Sequence, residues 1–172
     1  MNEMALMEKT PMTTEKEELS IPLDLGQWAS ASQLRDWIMS DVATLNWTNP
    51  ELLELLRKHP GFEPKALLNT MTFAYATGIF GAEEIARHCS ENLEFRGVRP
   101  KLPPIAAELK QFRKDNRAMF KWCLANVVTR ALKSQLIEGP EVTLPPGLRR
   151  YIVENAIERL DLARHMDRSA EL

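Results

Sequence analysis

The sequence is poor in the residues that mark most specialised folds. It has two cysteines, Cys89 and Cys123, in 172 residues. That number excludes a multi-bridge disulfide scaffold, and neither cysteine has the paired spacing of a structural zinc site. Both fall on apolar faces of expected helices and read as buried free thiols. The three histidines, His59, His88 and His165, are scattered; each reads as an ordinary surface or hydrogen-bonded histidine rather than a catalytic base. Glycine is scarce, at seven residues, and no Gly-rich phosphate loop is present. No run approaches the ~18–20 continuous apolar residues of a membrane span. No basic region followed by an apolar run opens the chain as a secretory signal would. Sustained apolar–polar alternation is missing too, so strands are not expected beyond a short extended piece at 141–144. Neither sign of charge dominates: 22 Lys and Arg against 24 Asp and Glu give a net charge of −2. Any nucleic-acid-binding surface must therefore be local.

What is present is helical. Apolar residues make up 44% and charged residues 27% of the chain, the balance of an ordinary globular protein. Its length suits one domain with a tail. Ser30 or Ser32 can cap a helix to about Leu45, with Leu34, Trp37, Ile38, Val42 and Leu45 on one face. Asn49 and Pro50 start a short helix whose inner face is Leu52, Leu53, Leu55 and Leu56. Pro64 opens a third, with Leu67, Leu68, Met71 and Tyr75 at three- and four-residue steps, and Gly78 ends it in a left-handed turn. A fourth begins near Ala82 and turns Ile85, Ala86 and Cys89 inward. The two flank a short glycine-containing turn and form a helix-turn-helix candidate over 64–89. Apolar periodicity then runs from Leu109 to Leu136, with a bend expected near Asp115-Asn116. A final amphipathic helix runs from Leu148 to about His165. The expected fold is all-α, with about six to eight helices. A flexible acidic arm over 1–27 precedes the helical domain at 28–136, and a loop with the C-terminal helix occupies 137–172. Trp28, Trp37 and Trp47 read as packing residues rather than a base-stacking platform.

The ordered residues His59-Pro60, Phe62, Pro64, Leu67-Leu68, Tyr75-Ala76, Thr77-Gly78, Ile85-Ala86, Cys89, Glu91-Asn92, Phe95-Arg96, Pro104 and Phe112-Arg113 carry a resemblance. They resemble the N-terminal domain of bacterial insertion-sequence transposases of the DDE type, the group named after insertion sequence five. The likeness spans near half the chain. It differs at Gly81-Ala82-Glu83-Glu84, where the family has a Ser/Arg-rich helix start. It differs also at Ile105 and Glu108, where the family has Asp and Thr or Ser. The resemblance implies a helical DNA-binding or dimerisation domain and a role in DNA transposition.

The same resemblance places the family's three metal-binding carboxylates in a separate α/β domain downstream. Fewer than ~40 residues follow Leu136 here, and they read as loop plus helix, too short for such a domain. Glu154, Glu158 and Asp161 fall beside Arg159 and Arg164 and read as solvated helix-face pairs. The chain is therefore not expected to catalyse strand transfer, and no cofactor or metal is implied.

Charge is segregated between Ile85 and Lys121. That window carries Arg87, Arg96, Arg99, Lys101, Lys110, Arg113, Lys114, Arg117 and Lys121 against Glu91, Glu94, Glu108 and Asp115. The steps from Lys110 to Lys121 align five cations along one helix side, where they suit a phosphate row. The helix from Ala82 would offer Glu84, Arg87 and His88 to bases. The expected DNA-contacting set is thus Arg87, His88, Arg96, Arg99, Lys101, Lys110, Arg113, Lys114, Arg117 and Lys121. Double-stranded DNA in the bacterial cytoplasm is the expected partner, with no membrane or small-molecule ligand. The alternative is a module that dimerises with itself or a full-length transposase through Ile157 and Leu162, without touching DNA.

Overall fold

Residues Pro64–Ala76 form a helix buried on nearly every side, and the other elements are arranged around it. The computed structural model describes residues 20–58, 61, 63–136 and 143–171. Among them the α-helices are α1 (Ala31–Ala43), α2 (Pro50–Lys58), α3 (Pro64–Ala76), α4 (Ala82–Glu91), α5 (Ala106–Asp115), α6 (Arg117–Ser134) and α7 (Pro146–Ala170). Single 3-10 turns lie at Leu25–Gln27 and Leu93–Phe95. The fold is all-α, as expected, without strands among the described residues. The expected extended piece at 141–144 lies half outside them, as do His59, Pro60 and Phe62.

Local chemistry sets the helix ends. Ser30 and Gln33 form a reciprocal capping box at the start of α1, which satisfies two otherwise unpaired N–H groups. Pro64 takes the first position of α3. At its other end Gly78 adopts φ +86, and the Ile79 N–H returns to the Ala74 carbonyl at 2.9 Å, a Schellman closure. The long period from Leu109 to Leu136 is split where it was expected to bend: Asn116 leaves helical geometry at φ −125, and its side chain donates to the Phe112 carbonyl at 2.9 Å.

One apolar core runs through the molecule. Leu34, Ile38 and Val42 of α1, Phe120, Leu124 and Val128 of α6, and Ile152, Ala156 and Leu160 of α7 close around Leu68, Met71, Phe73 and Tyr75. Phe73 meets Phe95 edge-on at 5.2 Å, and Tyr75 lies 5.8 Å from Phe120. Offset and edge-on aromatic pairs of this kind stabilise beyond their buried area.

Several boundaries differ from the sequence expectation. Ile21 and Leu25 are core residues, so the packed chain begins well before residue 28; residues 1–19 lie outside the described set. Leu53, expected inward, is 50% exposed, while the side chains of Leu52, Leu55 and Leu56 lie outside the described set. Helix α7 begins at Pro146 and reaches Ala170, beyond the expected limits, and it packs along α6 and onto α3. It belongs to the same core as the rest and is not an appendage. Trp28, Trp37 and Trp47 are half-buried against that core, as packing residues should be. Tyr151 of α7 is exposed.

Candidate nucleic-acid interface

The expected cation set divides by what each side chain meets. Three members face α7 in antiparallel register. Lys110 Nζ lies 2.9 Å from Glu171 Oε1, Arg113 pairs with Asp167, and Arg117 Nη2 lies 2.9 Å from Asp161 Oδ1. The single phosphate-facing row expected over 110–121 is therefore corrected. The break at Asn116 changes the helical phase, and three of its cations are matched to carboxylates of the chain itself. Arg113 is 9% exposed, too buried to reach a duplex. Asp167 also accepts the Ala82 N–H at 2.8 Å, supplying the cap that the start of α4 lacks in its own sequence. One buried carboxylate thus fastens α4 and α5 to α7. Beside it, burial pushes the Tyr75 hydroxyl up to about 12.

Two further members are engaged locally. Arg99 Nη1 donates to the Cys89 carbonyl at 2.9 Å. The His88 ring stacks on Phe95 at 5.4 Å. Asn92 Nδ2 lies 3.0 Å from its Nδ1; the amide donates, which leaves the ring proton on Nε2, 3.8 Å from Glu84 Oε1. Glu84 and His88, expected to face bases together, face each other instead.

Arg87, Arg96, Lys101, Lys114 and Lys121 are exposed, and no carboxylate pairs with them among the described residues. Arg87 lies on the outer face of α4, whose inner face buries Ile85 and Cys89. Arg96 and Lys101 belong to the loop that leaves α4, and Lys114 lies on the adjoining α5. That loop is firmly held. Thr70 Oγ1 donates to the Val98 carbonyl at 2.8 Å, the Lys101 N–H donates to Glu63 Oε2 at 2.7 Å, and Arg35 Nη1 donates to the Glu94 carbonyl at 2.9 Å. The lysine and arginine side chains on it project from a fixed backbone.

Both cysteines are buried. Burial pushes the Cys89 thiol up to about 11 and the Cys123 thiol up to about 12, the opposite of an activated nucleophile. No group of three or more His, Cys, Asp and Glu side chains is placed to hold a metal among the described residues. No helix among them is long and apolar enough to cross a membrane. Arg159, expected on a solvated face, is instead buried and donates to the Pro22, Leu23 and Tyr75 carbonyls, each at 2.7 Å.

Sequence reasoning missed the carboxylates that consume the cation row. The signal was there. Asp161, Asp167 and Glu171 follow one another down α7 in the reverse order of Lys110, Arg113 and Arg117. Comparisons with family models, with characterised proteins and with solved structures find no match.

Proposed function

We propose that this chain is a non-catalytic DNA-binding module of a transposase-like protein, acting in the bacterial cytoplasm without metal or cofactor. The observation that carries the reading is the set of exposed cations without an ion-pair partner among the described residues on α4, its following loop, α5 and α6: Arg87, Arg96, Lys101, Lys114 and Lys121. The helix-turn-helix-like pair of α3 and α4 supports it, since α4 rests on a buried helix and keeps its outer face open. The ordered likeness to insertion-sequence-five transposases supports it as well. Phosphate contacts by these side chains would position the module on the duplex, and Arg87 alone on α4 is free to reach base edges.

The test is fluorescence anisotropy of a labelled duplex across a salt series, with Arg87→Ala/Arg96→Ala/Lys114→Ala as the comparison. These side chains are exposed and make no hydrogen bond or ion pair among the described residues, so the variant is expected to keep its fold. The four phosphate contacts other than Arg87 predict a slope of log K against log salt near roughly −3.6, and the triple variant, which removes two of them, should flatten it by about 2. Absence of binding at low salt sinks the reading. The second reading is self-association or pairing with a full-length transposase. It is favoured by the internal use of Lys110, Arg113 and Arg117 and by the exposure of Leu162 and Met166 on α7. Ile157, the other residue expected at that contact, is half-buried. An apolar contact of this kind is insensitive to salt, which separates the two readings.

A further inference from the structure

A hollow of about 430 Å³ lies where the first turn of α3 meets the backbone at 97–99 and the side chain of Trp47. That volume suits one small molecule, since such sites enclose ~300–1,000 Å³. Its described lining joins a flat apolar surface to a few polar groups. The Trp47 indole N–H donates to the Val42 carbonyl at 2.8 Å, which fixes the ring at the edge of the hollow. Lys65 Nζ lies 5.7 Å from the centre of that ring. Arg99 also lines the hollow and spends one nitrogen, Nη1, on the Cys89 carbonyl. Neither cation is in an ion pair among the described residues. Lys65 and Ala66 add the N–H groups of the first turn of α3, which no side chain caps. Such groups favour an anion.

Asn69 selects the rest of the ligand. It follows Lys65 by four residues, on the same face of α3, and it lines the hollow. Its Oδ1 is buried without a hydrogen-bond partner. Buried amide oxygens are nearly always paired, so an unpaired one beside a cavity calls for a donor. A carboxamide offers an acceptor and a donor side by side, the complement of the adenine N6–H and N7 edge. Guanine presents two acceptors there and would leave Oδ1 unpaired. We propose that this hollow binds a free adenine nucleotide. The base lies on Trp47 with its N6/N7 edge at Asn69, and the phosphate meets Lys65 and Arg99. Lys65 is exposed, so its ammonium can leave the ring for the phosphate and free that face for stacking. Glu63 lines the hollow and holds the Lys101 N–H through Oε2, which leaves Oε1 for a ribose hydroxyl, as acidic side chains do in dinucleotide sites. The nucleotide is a bound ligand, and no reaction is assigned to it. The proposal does not rest on DNA binding, whose cations do not line the hollow.

The test is isothermal titration calorimetry of the full chain with adenosine 5′-monophosphate, guanosine 5′-monophosphate and adenosine. Saturable one-to-one binding of the adenine nucleotide is expected, with the guanine nucleotide at least about tenfold weaker and adenosine weaker by about as much. Asn69→Leu should erase the preference for adenine. Because it removes a buried unpaired oxygen, it should melt no lower than wild type. Lys65→Ala, at an exposed position, should weaken the monophosphate by about tenfold and leave adenosine as tight as before. That variant decides the matter if Asn69→Leu fails to fold. Arg150→Ala, exposed and outside the hollow, should change nothing. Absence of binding at millimolar nucleotide overturns the proposal, and so does equal affinity for the two bases. A preference kept by folded Asn69→Leu, equal loss of nucleotide and nucleoside in Lys65→Ala, or equal loss in Arg150→Ala would do the same. An adenine oligonucleotide that binds where the free nucleotide does not would assign the hollow to a DNA strand and overturn it too. The duplex titration reads separate side chains, so failure of one experiment leaves the other standing.

Discussion

Arg159 and Asp41 show two ways of burying a charge. Arg159 has no ion-pair partner among the described residues, yet its guanidinium and Nε donate to backbone carbonyls and to Asn155 Oδ1. Two of the acceptors, the Tyr75 and Ala76 carbonyls, are at the C-terminus of α3, where the helix leaves carbonyls unpaired and its dipole favours a cation. Burial lowers its pKa to about 10, so it remains charged at neutral pH. Its place was legible: position 159 follows Ala156 by three and precedes Ala163 by four, on the buried stripe of α7. What periodicity lacks is the identity of the partner, because Pro22 and Leu23 come from the other end of the chain. Asp41 is less well served. Its Oδ1 accepts from Arg130 Nη2 at 2.5 Å, while its Oδ2 is buried without a hydrogen bond. Burial raises its pKa, and Arg130 only partly opposes the shift. A folded-state pKa above the unfolded one means that the folded chain holds the proton more tightly. The contribution to stability is then largest below the unfolded value and declines as pH rises through the folded one. Asp41→Asn mimics the protonated form. The difference in unfolding free energy between wild type and Asp41→Asn should therefore move in favour of wild type as pH falls from 7 toward about 4. Urea melts of both proteins at several pH values measure it. Movement in the opposite direction would mean that Arg130 governs the carboxyl and holds its pKa down.

At the scale of elements, the turn between α3 and α4 places the outer face of α4. Gly78 adopts φ +86 there, and a Cβ would meet nothing closer than 3.7 Å. Only the backbone conformation demands glycine, since an L side chain in the left-handed region costs about 1–2 kcal/mol. Gly78→Ala should lower stability by about 1 kcal/mol, whereas Gly81→Ala, with ordinary backbone and no neighbour nearer than 3.8 Å, should lower it by less than ~0.3 kcal/mol. Equilibrium denaturation of both variants checks the contrast; equal losses would mean that the turn is not limited by its φ. This glycine was readable in advance, and so were Pro64, Ser30 and the break at Asp115-Asn116. Each is a local event whose hydrogen bonds close within a few residues. The start of α4 was not readable in the same way. Gly81 offers no side chain to cap it, and the acceptor comes from Asp167, 85 residues away. The candidate site divides likewise. Its residue types and their clustering in the chain could be read, but which cations remained available depended on what α7 laid against them.

Helix α7 decides the architecture of the whole molecule, although the sequence reading treated residues 137–172 as a separate segment. Its apolar stripe of Ile152, Ala156, Leu160 and Ala163 is fully part of the core. Arg159 ties it to the Pro22 and Leu23 carbonyls and to the end of α3. Asp167 ties it to α4 and α5, and Asp161 to the start of α6. Exposed pairs such as Arg117–Asp161 contribute little individually. Loss of a buried partner is different, because Arg113 without Asp167 would remain charged in a dry site, at a penalty of roughly 3–5 kcal/mol. A chain ending at Leu136 would lose that partner, the cap of α4 and one wall around Tyr75 and Phe120 together. Their sum approaches the roughly 5–15 kcal/mol that holds an ordinary domain folded. Residues 1–136 alone should therefore lack a cooperative thermal transition by circular dichroism, while the full chain melts in one step. If the shorter chain melted cooperatively, the core would be complete without α7, and the charge register along that helix would be surface decoration. If it does not, the same register explains why the basic window around Arg113 exists in a chain of almost neutral charge. Lys110, Arg113 and Arg117 position the last helix, and the cations left over, Arg87, Arg96, Lys101, Lys114 and Lys121, are those available to a partner.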